Sequence, residues 1–197
     1  MRILAIDPGT THCGWAITRA SIIFASGVID PRKIPLVCGC GVEAANVARG
    51  GSACSACGNR LPRRSKASRA QALVQLRREL DKVIALHQPT VVLCESAHLG
   101  AHASAVIGVS EARGVVSAAA SARGLAMVSM TPGEHKKTTT GHGHASKDAT
   151  RAAVNGSLPR ASNKVVVSYD EADACSIAWW GLMVWAPSQA TGTSPGR

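Results

Sequence analysis

Acidic residues are scarce in this chain: 12 Asp and Glu stand against 22 Lys and Arg, so its 197 residues carry a formal charge of +10. That balance disfavours a basic ligand and favours a polyanion, nucleic acid above all. Aromatic residues are scarcer still, with one Phe, one Tyr and four Trp, and the apolar 46% is mostly Ala and Val. No stretch comes near the roughly 20 uninterrupted apolar residues that a membrane-spanning helix needs, which excludes one. The N-terminal run Met1-Arg2-Ile3-Leu4-Ala5-Ile6 meets Asp7 before the apolar centre of a secretion signal could form, so the expected compartment is the cytoplasm. Seven Cys are expected there as thiols or metal ligands. The length predicts one domain with room for an insertion.

An apolar run over 2–6, stopped by Asp7-Pro8-Gly9, predicts a buried strand. Residues 14–18 and 21–29 predict two more strands, joined tightly around Arg19-Ala20. The segment 30–67 is rich in Pro, Gly, Cys and Arg without a sustained period, and reads as an inserted loop subdomain. Leu73, Leu76, Leu80 and Val83 recur at three- and four-residue spacing, predicting an amphipathic helix over 68–87 that Pro89 ends. A strand over 91–94 then delivers Glu95. Ala-rich 103–123, interrupted by Gly108 and Gly114, predicts a closely packed helix, and 126–130 another strand. Thr131-Pro132-Gly133 reads as a turn into a basic loop over 136–144, with Ser146 capping a helix that starts near Lys147. The last helix is expected over 170–185, with acids in its first turn, and 186–197 as a disordered tail. The main domain is thus 1–185, interrupted by 30–67.

Strands alternating with helices after an early hairpin give an α/β fold with a mixed sheet, whose sites gather beyond the strand ends. Asp7 and Glu95 each close a strand, and Asp170 and Asp173 share one face of a helix start. Each acid alone fits a turn or cap equally well. Together, four carboxylates from three segments form a set of hard oxygen ligands suited to Mg²⁺.

Ile6-Asp7-Pro8-Gly9 with Gly14-Trp15, Glu95, Glu111-Ala112-Arg113-Gly114, Lys136-Lys137 with Thr140-Gly141-His142-Gly143, Ala145-Ser146-Lys147, and Asp170-Glu171-Ala172-Asp173-Ala174 follow one another in a set order. In that order they resemble the RuvC Holliday junction resolvases, over residues 1–29 and about 68–185. The resemblance implies an RNase H-like fold, a homodimer, and Mg²⁺-dependent cutting of four-way DNA junctions to leave 5′-phosphate and 3′-hydroxyl ends. It implies two Mg²⁺ per site, with Mn²⁺ as an alternative, held by Asp7, Glu95, Asp170 and Asp173 as the catalytic carboxylates. It gives Lys147 a catalytic role near the scissile phosphate and makes Lys136, Lys137, Lys147 and Arg113 DNA contacts. One departure concerns the position three after the catalytic Glu, where the family usually has an aromatic residue and this chain has His98. Its imidazole is either a stacking face for a junction base or an exposed loop side chain.

Cys38-Gly39-Cys40 and Cys54-Ser55-Ala56-Cys57-Gly58 lie in the interrupting segment. Two short pairs, Cys38 with Cys40 and Cys54 with Cys57, suit a tetrahedral Zn²⁺ site that would staple an otherwise coreless insertion; the alternative is four unrelated thiols. Cys13, Cys94 and Cys175 read as small buried residues. Residues 44–78 hold eight bases and no acid. Arg60, Arg63 and Arg64 within it are expected to clamp a junction arm, the alternative being a solvated loop. The competing functions are a broader nuclease acting on forks and other branched DNA, a catalytically silent junction-binding protein, and an actin-like nucleotide-binding relative, which would need further glycine-rich phosphate loops.

Overall fold

The computed structural model describes residues 1–34, 57–59, 67–97 and 103–192, and residues 36–37 and 43–44 as backbone alone. β1 (Ile3–Asp7), β2 (Cys13–Arg19) and β3 (Ile22–Ile29) form an antiparallel meander. After β3, β4 (Leu36–Val37) and β5 (Glu43–Ala44) make a two-residue antiparallel pair. α1 (Arg69–His87) leads to β6 (Val91–Glu95), and α2 (Ala103–Ser121) to β7 (Ala126–Met130). α3 (Pro132–Thr140), α4 (Lys147–Ser157) and α5 (Tyr169–Trp180) follow, and a π-helical turn (Gly181–Trp185) joins α5 to α6 (Ala186–Thr191). The five-stranded sheet runs β3-β2-β1-β6-β7, with β1, β6 and β7 parallel. This is the mixed sheet that the order of elements predicts.

β1 is central and has helices over both faces, so it carries no polar residue before its end. Leu4 and Ile6 pack with Leu76, Leu80 and Ile84 of α1 and with Ala112 and Val116 of α2. Ile3 and Ala5, on the opposite face by the two-residue period of a strand, pack with Ala174, Ile177 and Ala178 of α5 and Val154 of α4. With few aromatic residues, these layers close through Ala and Gly. Gly14 of β2 lies opposite Asp7 in the β1–β2 pairing, and a Cβ there would stand 1.9 Å from the Asp170 carbonyl oxygen. The bare backbone at Gly14 therefore sets how near the start of α5 comes to the end of β1.

Three sequence expectations change. The Thr131-Pro132-Gly133 turn and most of the basic loop are α3, because Thr131 and Glu134 form a capping box, Pro132 stands in the first turn, and Gly141 ends the helix in the left-handed region at φ 83°. Asp170 is not the cap of α5: the Ser168 hydroxyl accepts from Glu171 N–H, which places Asp170 inside the first turn. Residues 186–191, expected to be disordered, are α6. Its Pro187 sits where no intrahelical N–H is needed, and the buried Ser188 Oγ–H donates to the Trp185 carbonyl at 2.7 Å. Of the two α2 glycines, Gly108 approaches Thr10, whereas Gly114 has open space beside it.

Gly14→Ala is expected to lower stability by about 1–3 kcal/mol, as overpacking does, or to move α5 outward. Chemical denaturation measures the first outcome. Weaker divalent-cation binding at unchanged helix content reads the second.

Candidate active site

The parallel register of β1 and β6 sets Ile6 beside Cys94, so Asp7 and Glu95 leave neighbouring strands at the same edge of the sheet. Together with Pro8, Ser96 and the α2 residues Ala105, Val106 and Val109, they line a cavity of about 150 Å³. α5 brings the other two acids over this edge. Asp173 is nearly buried, while Asp170 is partly exposed and its Oδ2 accepts from Ser168 Oγ–H at 3.5 Å.

The four acids act on one another. Burial first, and then the negative charges of Glu95, Asp173 and Asp170, hold the Asp7 carboxyl well above its ordinary range, with Lys147 opposing. Burial also raises Asp173; His135 and Lys147 oppose that rise, Glu95 adds to it, and Lys136 opposes it. Lys147 Nζ lies 3.9 Å from Asp173 Oδ2 and 6.0 Å from the centre of the Tyr169 ring. Among the described residues, no three His, Cys, Asp or Glu side chains stand close enough to form a ready-made metal cage. The donor set still fits a hard divalent cation: it is all oxygen, borne on separate elements, and electrostatically coupled.

Two histidines that the sequence reading passed over belong to this site. His12 Nδ1 is 3.9 Å from Asp170 Oδ2. His135, on α3 and fully buried, stands with Nε2 3.0 Å from Glu95 Oε2. The one sequence cue for His135 is its place beside Lys136-Lys137, which gives no hint that the ring turns inward.

The Arg113 guanidinium, expected on DNA, also makes hydrogen bonds within the chain. It donates to the backbone carbonyl of Glu95 and, at 3.0 Å, to Ser129 Oγ, bracing the ends of β6 and β7. That carbonyl ends a strand and needs a donor, which a basic side chain on α2 supplies. Lys137 is exposed on α3 and Lys136 half-buried. His98, Arg60, Arg63, Arg64, Cys38, Cys40 and Cys54 lie outside the described residues, and Cys57 is exposed. Burial pushes the Cys94 thiol up to about 12 and Cys175 up to about 11, and raises Cys13 well above its ordinary range. All three stay protonated at neutral pH and serve as small core residues.

The family model for crossover junction endodeoxyribonuclease RuvC matches residues 29–179. The chain belongs to the RuvC family. A RuvC family protein of Rhodopseudomonas palustris is 30% identical over 183 residues, covering 90% of this chain and 84% of that one. One from Renibacterium salmoninarum is 31% identical over 160 residues, 78% of this chain, and this chain spans 66% of its length. Among solved structures, Thermus thermophilus RuvC in complex with a Holliday junction substrate superposes with a TM-score of 0.67 at 20% identity, covering 99% of this chain and 98% of that one. The yeast mitochondrial Holliday junction resolvase Ydc2 gives 0.54 at 14% identity, covering 91% and 79%. These likenesses and the mixed sheet with flanking helices fit an RNase H-like fold. No helix among the described residues is long and apolar enough to cross a membrane.

The raised carboxyls carry a stability consequence. A carboxyl raised in the fold above its ordinary value of 3.8 opposes folding wherever the unfolded chain would ionise it. The opposition is absent below that value, grows as pH climbs toward the folded-state value, and is full above it. Asp7→Asn is thus expected to raise the melting temperature of the metal-free protein by roughly a few °C at pH 8 and by nothing at pH 3. Saturating Mg²⁺ should narrow the pH 8 gap by stabilising the wild type alone.

Proposed function

We propose that this chain is a Mg²⁺-dependent endonuclease that resolves four-way DNA junctions as a homodimer, through paired symmetric nicks that leave 5′-phosphate and 3′-hydroxyl ends. The observation that carries this reading is the meeting of Asp7, Glu95 and Asp173 at one edge of the sheet, with Asp170 in the first turn of α5, in a member of a junction-endonuclease family. The four acids would hold the cations, two per site, with Mn²⁺ able to replace Mg²⁺. The chemistry supplied there by bound Mg²⁺ is polarisation of the scissile phosphodiester, activation of a water and stabilisation of the leaving oxygen. The chain's own residues do the rest. Lys147, beside Asp173, neutralises charge that develops on the phosphoryl oxygens, and Lys136 and Lys137 of α3 hold the backbone that approaches. His98 is assigned to stacking at the junction. A silent junction-binding protein would gain nothing from four mutually repelling acids placed against a polyanion.

Incubating the purified protein with four-way junction, fork and linear duplex, in Mg²⁺ or in chelator, tests this. Paired nicks confined to the junction and requiring Mg²⁺ are expected. Equal cutting of forks would instead make it a broader branched-DNA nuclease, and binding without cutting would leave neither standing. Glu95→Gln should lower cleavage by about 10²-fold or more while junction affinity in chelator holds.

For the inserted segment, the proposed roles are a structural Zn²⁺ held by Cys38, Cys40, Cys54 and Cys57, and a DNA clamp made by Arg60, Arg63 and Arg64. Spacing of the Cys pairs and the acid-free basic window support these roles. One zinc per chain, lost in Cys38→Ser, is expected from elemental analysis. Replacing the three arginines by Ala should flatten the salt dependence of junction binding.

A further inference from the structure

His135 is the one fully buried histidine of the described chain, and both its ring nitrogens are engaged. Nδ1 is 2.8 Å from Ser176 Oγ on α5, and that hydroxyl is 2.7 Å from Thr139 Oγ1, one turn along α3 from the ring. Nε2 faces Glu95 Oε2 at 3.0 Å. For a neutral ring the bonds run one way: Thr139 O–H donates to Ser176 Oγ, Ser176 O–H to Nδ1, and Nε2–H to Glu95. For a charged ring, Nδ1–H donates to Ser176 Oγ instead, and the Ser176 hydroxyl turns to Thr139 or to the His135 carbonyl at 3.2 Å. Nε2–H donates to Glu95 in both forms.

We propose that His135 is a positioning residue for Glu95, holding Oε2 inside the protein and presenting Oε1 to the divalent cation. This rests on the reading of Glu95 as a metal ligand. Two considerations carry it beyond packing. An aliphatic side chain would fill the space between α3 and α5 without three buried polar groups to satisfy, so packing alone gives no reason for the relay. Moreover, Glu95 faces like charges at Asp7 and Asp173, which push its side chain to swing away from them. A hydrogen bond to the carboxylate opposes that swing, and Oε1 takes no hydrogen bond from the described residues. Partners of this kind around metal ligands typically change cation affinity by about 10–100-fold.

The test compares His135→Leu, His135→Asn and His135→Gln in the full chain, with Mn²⁺ as the probe, titrated by calorimetry or by loss of its free paramagnetic signal. The Gln amide can reach Glu95 as Nε2 does, whereas the shorter Asn reaches only Ser176. Leu and Asn are expected to weaken Mn²⁺ binding about 10-fold or more and Gln to restore most of it, with junction affinity in chelator unchanged throughout. Should Leu fail to fold, the Asn and Gln pair decides alone: equal Mn²⁺ affinity in the two overturns the proposal. Glu95→Gln is titrated in parallel. If it binds Mn²⁺ as the wild type does, the metal-ligand reading fails and takes the proposal with it; if it loses Mn²⁺ while the His135 variants do not, the proposal alone fails.

Discussion

Like charges held at one edge of a sheet are the constraint around which this fold is arranged. Asp7 and Glu95 cannot separate, because the β1–β6 register ties their strands through several backbone hydrogen bonds on the core side of the site. Asp173 is fixed as firmly, since its helix is seated against β2 by a glycine that admits no side chain. Relaxing the repulsion would mean breaking the central strand pair or lifting α5 from the core. The strain is instead carried as raised carboxyls, countered on the protein side by Lys147 and by the His135 ring. Sites that break the rule against clustering like charges do so at a cost in stability, which a bound cation repays.

Period and punctuation made most of this architecture legible. The strand that ends on Asp7, the helix capped by Ser68 and the strand that ends on Glu95 were marked by continuous apolar runs, three- and four-residue spacing, and stops at Pro-Gly and Pro89. α3 was misread because Pro132-Gly133 punctuates a chain whether it opens a helix or closes a strand. The decisive cue was Glu134, three residues after Thr131. Convergence of the four acids was readable only because strand ends and a helix start are places where topology gathers side chains.

The rest of the site was not legible because it is tertiary. His135 and Ser176 stand 41 residues apart, and neither has a pattern that tells an inward polar side chain from a solvated one. Arg113 shows the same limit in reverse. The resemblance makes it a DNA contact, and nothing in the sequence shows that a strand-end carbonyl nearby also engages its guanidinium. An unpaired backbone acceptor is invisible in sequence and is satisfied by whichever donor the packing brings near.

The excess of bases now divides by position. Lys136 and Lys147 act on the acids, whereas a second group of bases lies in the acid-free window of the sequence over 44–78. Near the acids, positive charge is largely cancelled in its effect on DNA, because Coulomb fields of opposite sign overlap within a Debye length of about 8–10 Å. A base with no carboxylate within that distance keeps its full attraction. The proposed functions of the two groups therefore differ: Arg60, Arg63 and Arg64 are assigned to holding DNA whether or not a cation is present, while Lys136 and Lys147 act on the phosphate that the cations draw in. Such a division lets DNA binding and cleavage respond separately to salt and to divalent metal, which a uniformly basic surface could not do.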